Sequence, residues 1–170
     1  GTFVTGSEKL SVTITGGVEG VDYLHRSEVD GTDEVYVFTA TDKEMSFEVA
    51  DGGFAKVLVV AGGGGGYGMA RSSRNGGGGG GGGGLVYREA QFLAPGVYTV
   101  RVGAGGAASL NWEPSGWWGE TGNGGDSVFA CAATGVDLMA VGGGSGGGNK
   151  WAGAEGGSGG GGGYRLAGGM

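Results

Sequence analysis

RNGGGGGGGGGLVYRE, residues 74–89, places nine consecutive glycines directly before an apolar segment. Fixing one residue's backbone costs roughly 1–2 kcal/mol, and glycine loses the most freedom. Ordering Gly76–Gly84 therefore costs on the order of 9–18 kcal/mol, with no side chain to bury. Two interpretations stay open: the run is a flexible linker, or its peptide groups hold it in an ordered array.

The purity of the glycine runs favours order. The long runs are Gly62–Gly66, Gly76–Gly84, Gly142–Gly148 with one serine, and Gly156–Gly163 with one serine. An extended threefold helix rises about 3.1 Å per residue and points its peptide groups outward in three directions. Without Cβ atoms, such helices can bond to neighbours on all sides. The residues expected in this glycine core are Gly64, Gly80, Gly143, Gly147 and Gly160.

Short β-strands are predicted between the glycine runs and before them. Alternation of apolar and polar residues in Lys9–Thr15 and Met45–Val49 is typical of half-buried strands. The continuously apolar stretch Lys56–Ala61 predicts a strand that is covered on both faces. The other predicted strands are Glu34–Ala40, Leu85–Gln91, Val97–Val102, Ser127–Ala130 and Val136–Val141. No window shows a helical stripe, so the expected fold is a mainly β sandwich or roll with a bundle of polyglycine helices.

Composition and charge both change near Ala61. Of 49 glycines, 8 lie in residues 1–61 and 41 in residues 62–170. The formal charge of −7 belongs entirely to residues 1–61, which carry eleven acids and four bases. Two regions are therefore expected, an acidic strand-rich region 1–61 and a glycine-rich region 62–170, packed as one unit. An acidic chain without a basic stripe argues against nucleic acid as a partner.

The sequence lacks the residues that most catalytic and cofactor chemistry requires. Cys131 and His25 are the only cysteine and histidine, so zinc, haem and Cys/His nucleophile schemes are excluded, and neither a metal nor a cofactor is expected. His25 with Asp22 and Ser27 is interpreted as loop. GxGxxG matches any glycine run and carries no nucleotide signal. No apolar stretch approaches the ~20 residues of a membrane span, and Gly1 at the start indicates a processed chain or a fragment.

Two acidic segments raise the question of calcium. Gly122–Phe129, GNGGDSVF, fits most of a calcium-binding nonapeptide, but that site is built from stacked copies. The favoured interpretation is that Asp126 hydrogen-bonds a turn before a short strand. Asp30–Glu34 lacks the spacing of an EF-hand and is interpreted as a solvated turn.

The order of these segments resembles a known family. VYVFTA, VLVVAGGGGG, GLVYREA, APGVYTVRVGAGGA, GNGGDSVF and LMAVGGGSGGG follow one another from about Val35 to Gly163. This series is similar to the glycine-rich domain of bacterial surface and phage tail proteins. Related polyglycine packing is found in phage receptor-binding tip adhesins and in anaplastic lymphoma kinase-type receptors. The resemblance implies extracellular display with a binding or assembly role, and no catalysis.

The candidate binding residues lie in loops between the glycine runs. Trp112, Trp117 and Trp118 share one polar loop, Trp151 lies in another, and Arg71 and Arg74 lie in a third. Exposed tryptophans would suit stacking on sugars or docking of a neighbouring subunit, whereas buried ones would cover the glycine array. The loops Tyr67–Asn75, Ala107–Thr121 and Asn149–Glu155 are expected to gather at one end of the bundle.

The sequence thus predicts a non-enzymatic extracellular protein at a cell or virion surface, without membrane insertion. The favoured function is a structural or adhesive subunit of a filament or fibre whose partners are copies of itself. The alternative is a recognition tip that binds a cell-surface glycan or an outer-membrane protein. A second alternative, an ice-binding protein, needs a flat face of short residues. For Thr2–Thr15, pairing inside its own sheet and donation to a neighbouring subunit are both open.

Overall fold

The computed structural model describes residues 2–5, 10–27, 34–41, 43–68, 76–109, 121–148 and 152–163. The described residues contain ten β-strands and no α-helix, which confirms the predicted mainly β class. None of them forms a helix long and apolar enough to cross a bilayer. The strands are β1 Thr2–Thr5, β2 Val12–Thr15, β3 Tyr23–Ser27, β4 Glu34–Phe38, β5 Glu44–Val49, β6 Gly53–Val60, β7 Leu85–Leu93, β8 Gly96–Arg101, β9 Ser127–Cys131 and β10 Val136–Ala140.

The chain forms two compact units that alternate along the sequence. The first unit takes residues 1–60, 85–102 and 127–139, and the second takes residues 61–84, 103–126 and 140–170. The compositional change near Ala61 therefore marks only the first of several crossings. Strands from the glycine-rich half return to the first unit because their apolar side chains need a core that glycine runs cannot supply.

The first unit is a sandwich of two five-stranded antiparallel sheets. One sheet has the order β3-β4-β1-β6-β7 and the other the order β10-β9-β8-β5-β2. The N-terminal strand β1 is central in its sheet. It pairs with β4 through Phe3 and Tyr36, and with β6 through Phe3 and Val57. Of the two interpretations open for the N-terminal segment, the structure shows pairing within its own sheet.

Aromatic rings fill the space between the two sheets. Phe47 of β5 meets Phe38 and Tyr36 of β4 edge-on, at centroid distances of 6.1 and 5.5 Å. Phe129 of β9 stacks on Tyr98 of β8 at 5.0 Å. The rings of Phe38, Phe47, Tyr98 and Phe129 are almost fully buried. Large buried rings dominate the hydrophobic contribution to stability, so this cluster determines how the sandwich packs.

Two local predictions for the first unit are wrong. Residues 23–27, expected as loop, form strand β3, which pairs with β4 from Tyr23 with Phe38 to Ser27 with Glu34. The apolar segment of β6 is not covered on both faces. Val57 and Val59 are buried, whereas Val60 is 41 % exposed. Because side chains alternate between the faces of a strand, one face of β6 lies outside the core.

Candidate functional site

The second unit consists of short glycine-rich segments whose backbone hydrogen bonds repeat every three residues. Amides 61, 64 and 67 donate to carbonyls 84, 81 and 78, and amides 62 and 65 donate to carbonyls 125 and 122. A spacing of three residues is the signature of a threefold polyglycine helix. The helices in the described residues are PG1 61–68, PG2 76–84, PG3 103–109, PG4 121–126, PG5 141–148, PG6 152–157 and PG7 158–163.

PG5 lies at the centre of this bundle, and residues 142–148 are all buried. Its amides fall into three rows with three different partners. Gly143 and Gly146 donate to PG1 at 2.9 and 2.8 Å, and Gly144 and Gly147 donate to PG7 at 2.9 and 2.8 Å. Its carbonyls accept from PG2, PG4 and PG6. Peptide hydrogen bonds thus take the place that side-chain packing has in an ordinary core.

Side chains from PG4 satisfy the third row of PG5 amides. Asp126 Oδ1 accepts from the Gly142 amide at 2.8 Å, and Asn123 Oδ1 accepts from the Ser145 amide at 2.9 Å. The two acceptors are three residues apart in the segment GNGGDS, as are the two donors in PG5. The sequence suggested that Asp126 bonds a local turn, but its partner lies in a glycine helix 16 residues away. The signal that could have found this is the three-residue match between the two segments.

Asp126→Ala is expected to destabilise the second unit. The change leaves the buried Gly142 amide without an acceptor, which costs about 1–3 kcal/mol. Asp126→Asn is the matched control, because its amide oxygen can accept the same hydrogen bond. Thermal unfolding in chelator measures both variants. If the unfolding midpoint of Asp126→Asn falls as far as that of Asp126→Ala, the hydrogen bond to Gly142 is not what holds PG4 to PG5.

Added Cβ atoms show where glycine is required. In PG2, a Cβ at Gly80 would lie closer than 3.0 Å to the Gly64 carbonyl, and one at Gly81 would meet the Ser158 carbonyl as closely. Nothing lies within 4 Å of a Cβ at Gly79. Two of the three rows of PG2 therefore face neighbouring backbones, and the third, which includes Gly79, faces open space.

The five glycines expected in the core differ in their surroundings. Gly143, Gly147 and Gly160 are buried, Gly64 is half-buried and Gly80 is exposed. The expectation that Gly80 is packed on all sides is therefore wrong, because PG2 lies at the surface of the bundle. A Cβ at Gly64, Gly143 or Gly160 would still press on the carbonyl of a neighbouring helix.

The predicted binding residues Arg71, Arg74, Trp112, Trp117, Trp118 and Trp151 lie outside the described residues. The structure does describe the helix ends that flank the segments containing these residues. The Gly68 amide donates to Ser109 Oγ at 3.2 Å, Thr121 Oγ1 donates to the Gly146 carbonyl at 2.9 Å, and the Gly146 amide donates to Gly65 at 2.8 Å. The ends that flank stretches 69–75, 110–120 and 149–151 therefore share one end of the bundle.

The titratable side chains of the first unit form structural contacts. Glu34 Oε2 accepts from Ser27 Oγ at 2.8 Å and lies 2.6 Å from His25 Nε2. Asp22, only 5 % exposed, lies elsewhere and bonds Lys43 Nζ at 2.9 Å. This bond and the Val18 amide hold the pKa of Asp22 below its ordinary value. His25, Ser27 and Asp22 therefore do not form a serine-histidine-aspartate relay.

Cys131 is buried, and a hydrogen bond to Thr134 lowers the pKa of its thiol. Among the described residues, no group of three His, Cys, Asp or Glu side chains could hold a metal ion. The segment Asp30–Asp33 lies outside the described residues.

Comparison with known proteins gives one family. Residues 39–169 match the glycine-rich domain, and the chain belongs to that family. The matched range begins after β4, so it contains six of the ten strands, β5 to β10, and all seven polyglycine helices. No curated protein and no solved structure matches the chain.

Proposed function

We propose that this protein is a non-enzymatic structural subunit or module of an extracellular filament or fibre at a cell or virion surface. The observation that supports this most strongly is PG5, a buried glycine helix whose amides bond to neighbours in all three directions. Backbone hydrogen bonds to neighbouring helices hold the centre of this bundle, and such a centre suits a rigid structural role. The resemblance to bacterial surface and phage tail proteins agrees with this role.

Self-association through the N-terminal strand is part of the proposal. β1 is four residues long and pairs with a strand on each side. A strand in this position can be supplied by a second copy of the chain with the same register and the same hydrogen bonds. Exchange would link successive subunits without a disulfide.

Negative-stain microscopy combined with a disulfide trap tests the proposed function. In a Cys131→Ala background, Val4→Cys and Val35→Cys place two thiols at paired positions of β1 and β4, where Cα separations in antiparallel sheets suit a disulfide. We expect filaments and a ladder of covalent oligomers on a non-reducing gel. The single variant Val4→Cys is the control and should give no ladder. Discrete particles together with crosslinks inside single chains only would contradict the filament.

A recognition tip is the second candidate function, and one observation favours it. The described helix ends that flank residues 69–75, 110–120 and 149–151 share one end of the bundle, and these three stretches of sequence contain the four tryptophans and two arginines of the predicted site. Aromatic and cationic residues brought to one end would suit a cell-surface glycan or an outer-membrane protein. Discrete particles in the microscope, with binding to such a ligand that Trp117→Ala removes, would favour the tip over the filament.

A further inference from the structure

One face of the sandwich carries large apolar side chains that are exposed to solvent. The β6–β7 face is defined by Phe54, Lys56, Leu58 and Val60 of β6 and by Leu85, Tyr87, Glu89 and Phe92 of β7. Phe54 is 60 %, Leu85 62 % and Phe92 49 % exposed. With Val60 and Tyr87, five of the eleven large apolar side chains exposed in the described residues lie on this face. An exposed apolar patch of this kind marks an interaction surface.

Paired residues of β6 and β7 lie side by side across the face, and each such pair is called a level here. Phe54 pairs with Phe92, whose rings are 5.2 Å apart, and Val60 pairs with Leu85. Leu58 and Tyr87 form a further apolar pair. Between the apolar levels, Lys56 Nζ lies 3.5 Å from Glu89 Oε1.

The charged pair makes the face complementary to itself. A twofold axis that runs parallel to the strands, midway between β6 and β7, places β6 of one copy over β7 of the other at the same level. Lys56 then faces the Glu89 carboxylate of the second copy, and Glu89 faces its Lys56 ammonium. Phe54 is placed over Phe92, and Val60 over Leu85, so that apolar levels meet apolar levels. A twofold interface requires this kind of self-complementarity.

We infer that the β6–β7 face is the docking surface for a second copy of this chain, packed face to face about that twofold axis. Lys56 and Glu89 determine the alignment, because a shift by one level would place each charge over an apolar pair and leave it desolvated. A hydrogen bond from Tyr87 and, to a lesser extent, the positive charge of Lys56 lower the pKa of Glu89. The carboxylate therefore stays ionised near neutral pH. This contact goes beyond the proposed function and holds whether or not the chain forms filaments.

A charge-reversal mixing experiment tests the inference by analytical ultracentrifugation of the full chain. Lys56→Glu gives a copy with two acids on the face, and Glu89→Lys gives a copy with two bases. Each variant alone should dimerise at least about tenfold more weakly than the original chain, because like charges oppose each other twice in the interface. Mixed in equal amounts, the two variants should form a heterodimer, since every charge then meets its opposite. Both side chains are exposed, so each variant should unfold close to the original thermal midpoint when this is measured at a concentration where the original chain is monomeric.

A second variant separates the apolar contribution. Phe54→Ser should weaken the dimer without changing its alignment, and mixing it with either charge variant should not restore the original affinity. A chain that stays monomeric near 100 µM would overturn the inference, as would single variants that fail alone and also fail when mixed. If both charge-reversal variants dimerise as strongly as the original chain, the dimer contact lies on another surface. Filaments without this dimer would leave the proposed function in place and reject the docking face alone.

Discussion

Alanine at Gly143 is expected to lower the thermal unfolding midpoint of the protein by roughly 6–12 °C. Gly143 is buried in PG5, and an added Cβ would lie closer than 3.0 Å to the carbonyl oxygens of Gly81 and Gly82. These atoms are backbone, and the Gly81 amide is itself bonded to Gly144 at 2.8 Å. Overpacking typically costs about 1–3 kcal/mol, and we expect about 3 kcal/mol at this buried position because the added Cβ meets backbone atoms. Each kcal/mol shifts the midpoint by roughly 2–4 °C in a chain of this size.

Gly105→Ala is the matched control for this change. Gly105 belongs to PG3, is exposed, and its added Cβ would meet only the Gly63 carbonyl at 3.9 Å, an ordinary contact. The control should unfold within a degree or two of the original chain, and calorimetry measures both. Equal midpoints for Gly143→Ala and Gly105→Ala would mean that PG5 is not packed among backbones.

Alanine at Gly80 and alanine at Gly79 are expected to act in opposite directions. The two glycines are neighbours in one run, and both are exposed. A Cβ at Gly80 would press on the carbonyl of Gly64, whereas one at Gly79 meets nothing within 4 Å. Gly80→Ala should destabilise the protein by about 1–3 kcal/mol through overpacking. Gly79→Ala should stabilise it by about 0.4–1 kcal/mol, because alanine reduces the freedom of the unfolded chain.

Denaturant unfolding of the two variants provides this comparison. A linker would treat the two positions alike, since both alanines would change only the unfolded chain. The same sign and size for Gly79→Ala and Gly80→Ala would therefore contradict a threefold helix in PG2. The chain itself places alanine at the exposed positions 104, 107 and 108 of PG3, so outward positions of the bundle accept a methyl group.

The strands could be predicted from sequence where their side chains alternate. Met45, Phe47 and Val49 are buried on one face of β5, as their spacing from Ser46 and Glu48 indicated. β3 could not be predicted in the same way. Its residues Leu24, His25 and Arg26 are all exposed, so its sequence carries no alternation, and its pairing with β4 alone makes it a strand. Local pattern identifies a strand only where one face is buried.

The glycine bundle could be predicted as a type of packing but not as an arrangement. Purity of the runs indicates helices that touch on all sides, yet glycine carries no side chain that would show which helix lies beside which. The exception is the pair Asn123 and Asp126, whose spacing matches the Gly142 and Ser145 amides they bond. The interleaving of the two units was likewise not visible, because composition averages over the alternating segments.

Hydrogen exchange of the PG5 amides tests the central claim most directly. If Gly142–Gly148 form a buried helix held by neighbours on all sides, the amides of Gly143, Gly144, Gly146 and Gly147 should exchange only through unfolding of the second unit. Gly79, on the open row of PG2, should exchange much faster in the same sample. This protection would be the behaviour of a core built from peptide groups. Exchange of the PG5 amides at the rates of an unstructured chain would show that the runs are linkers and contradict the bundle.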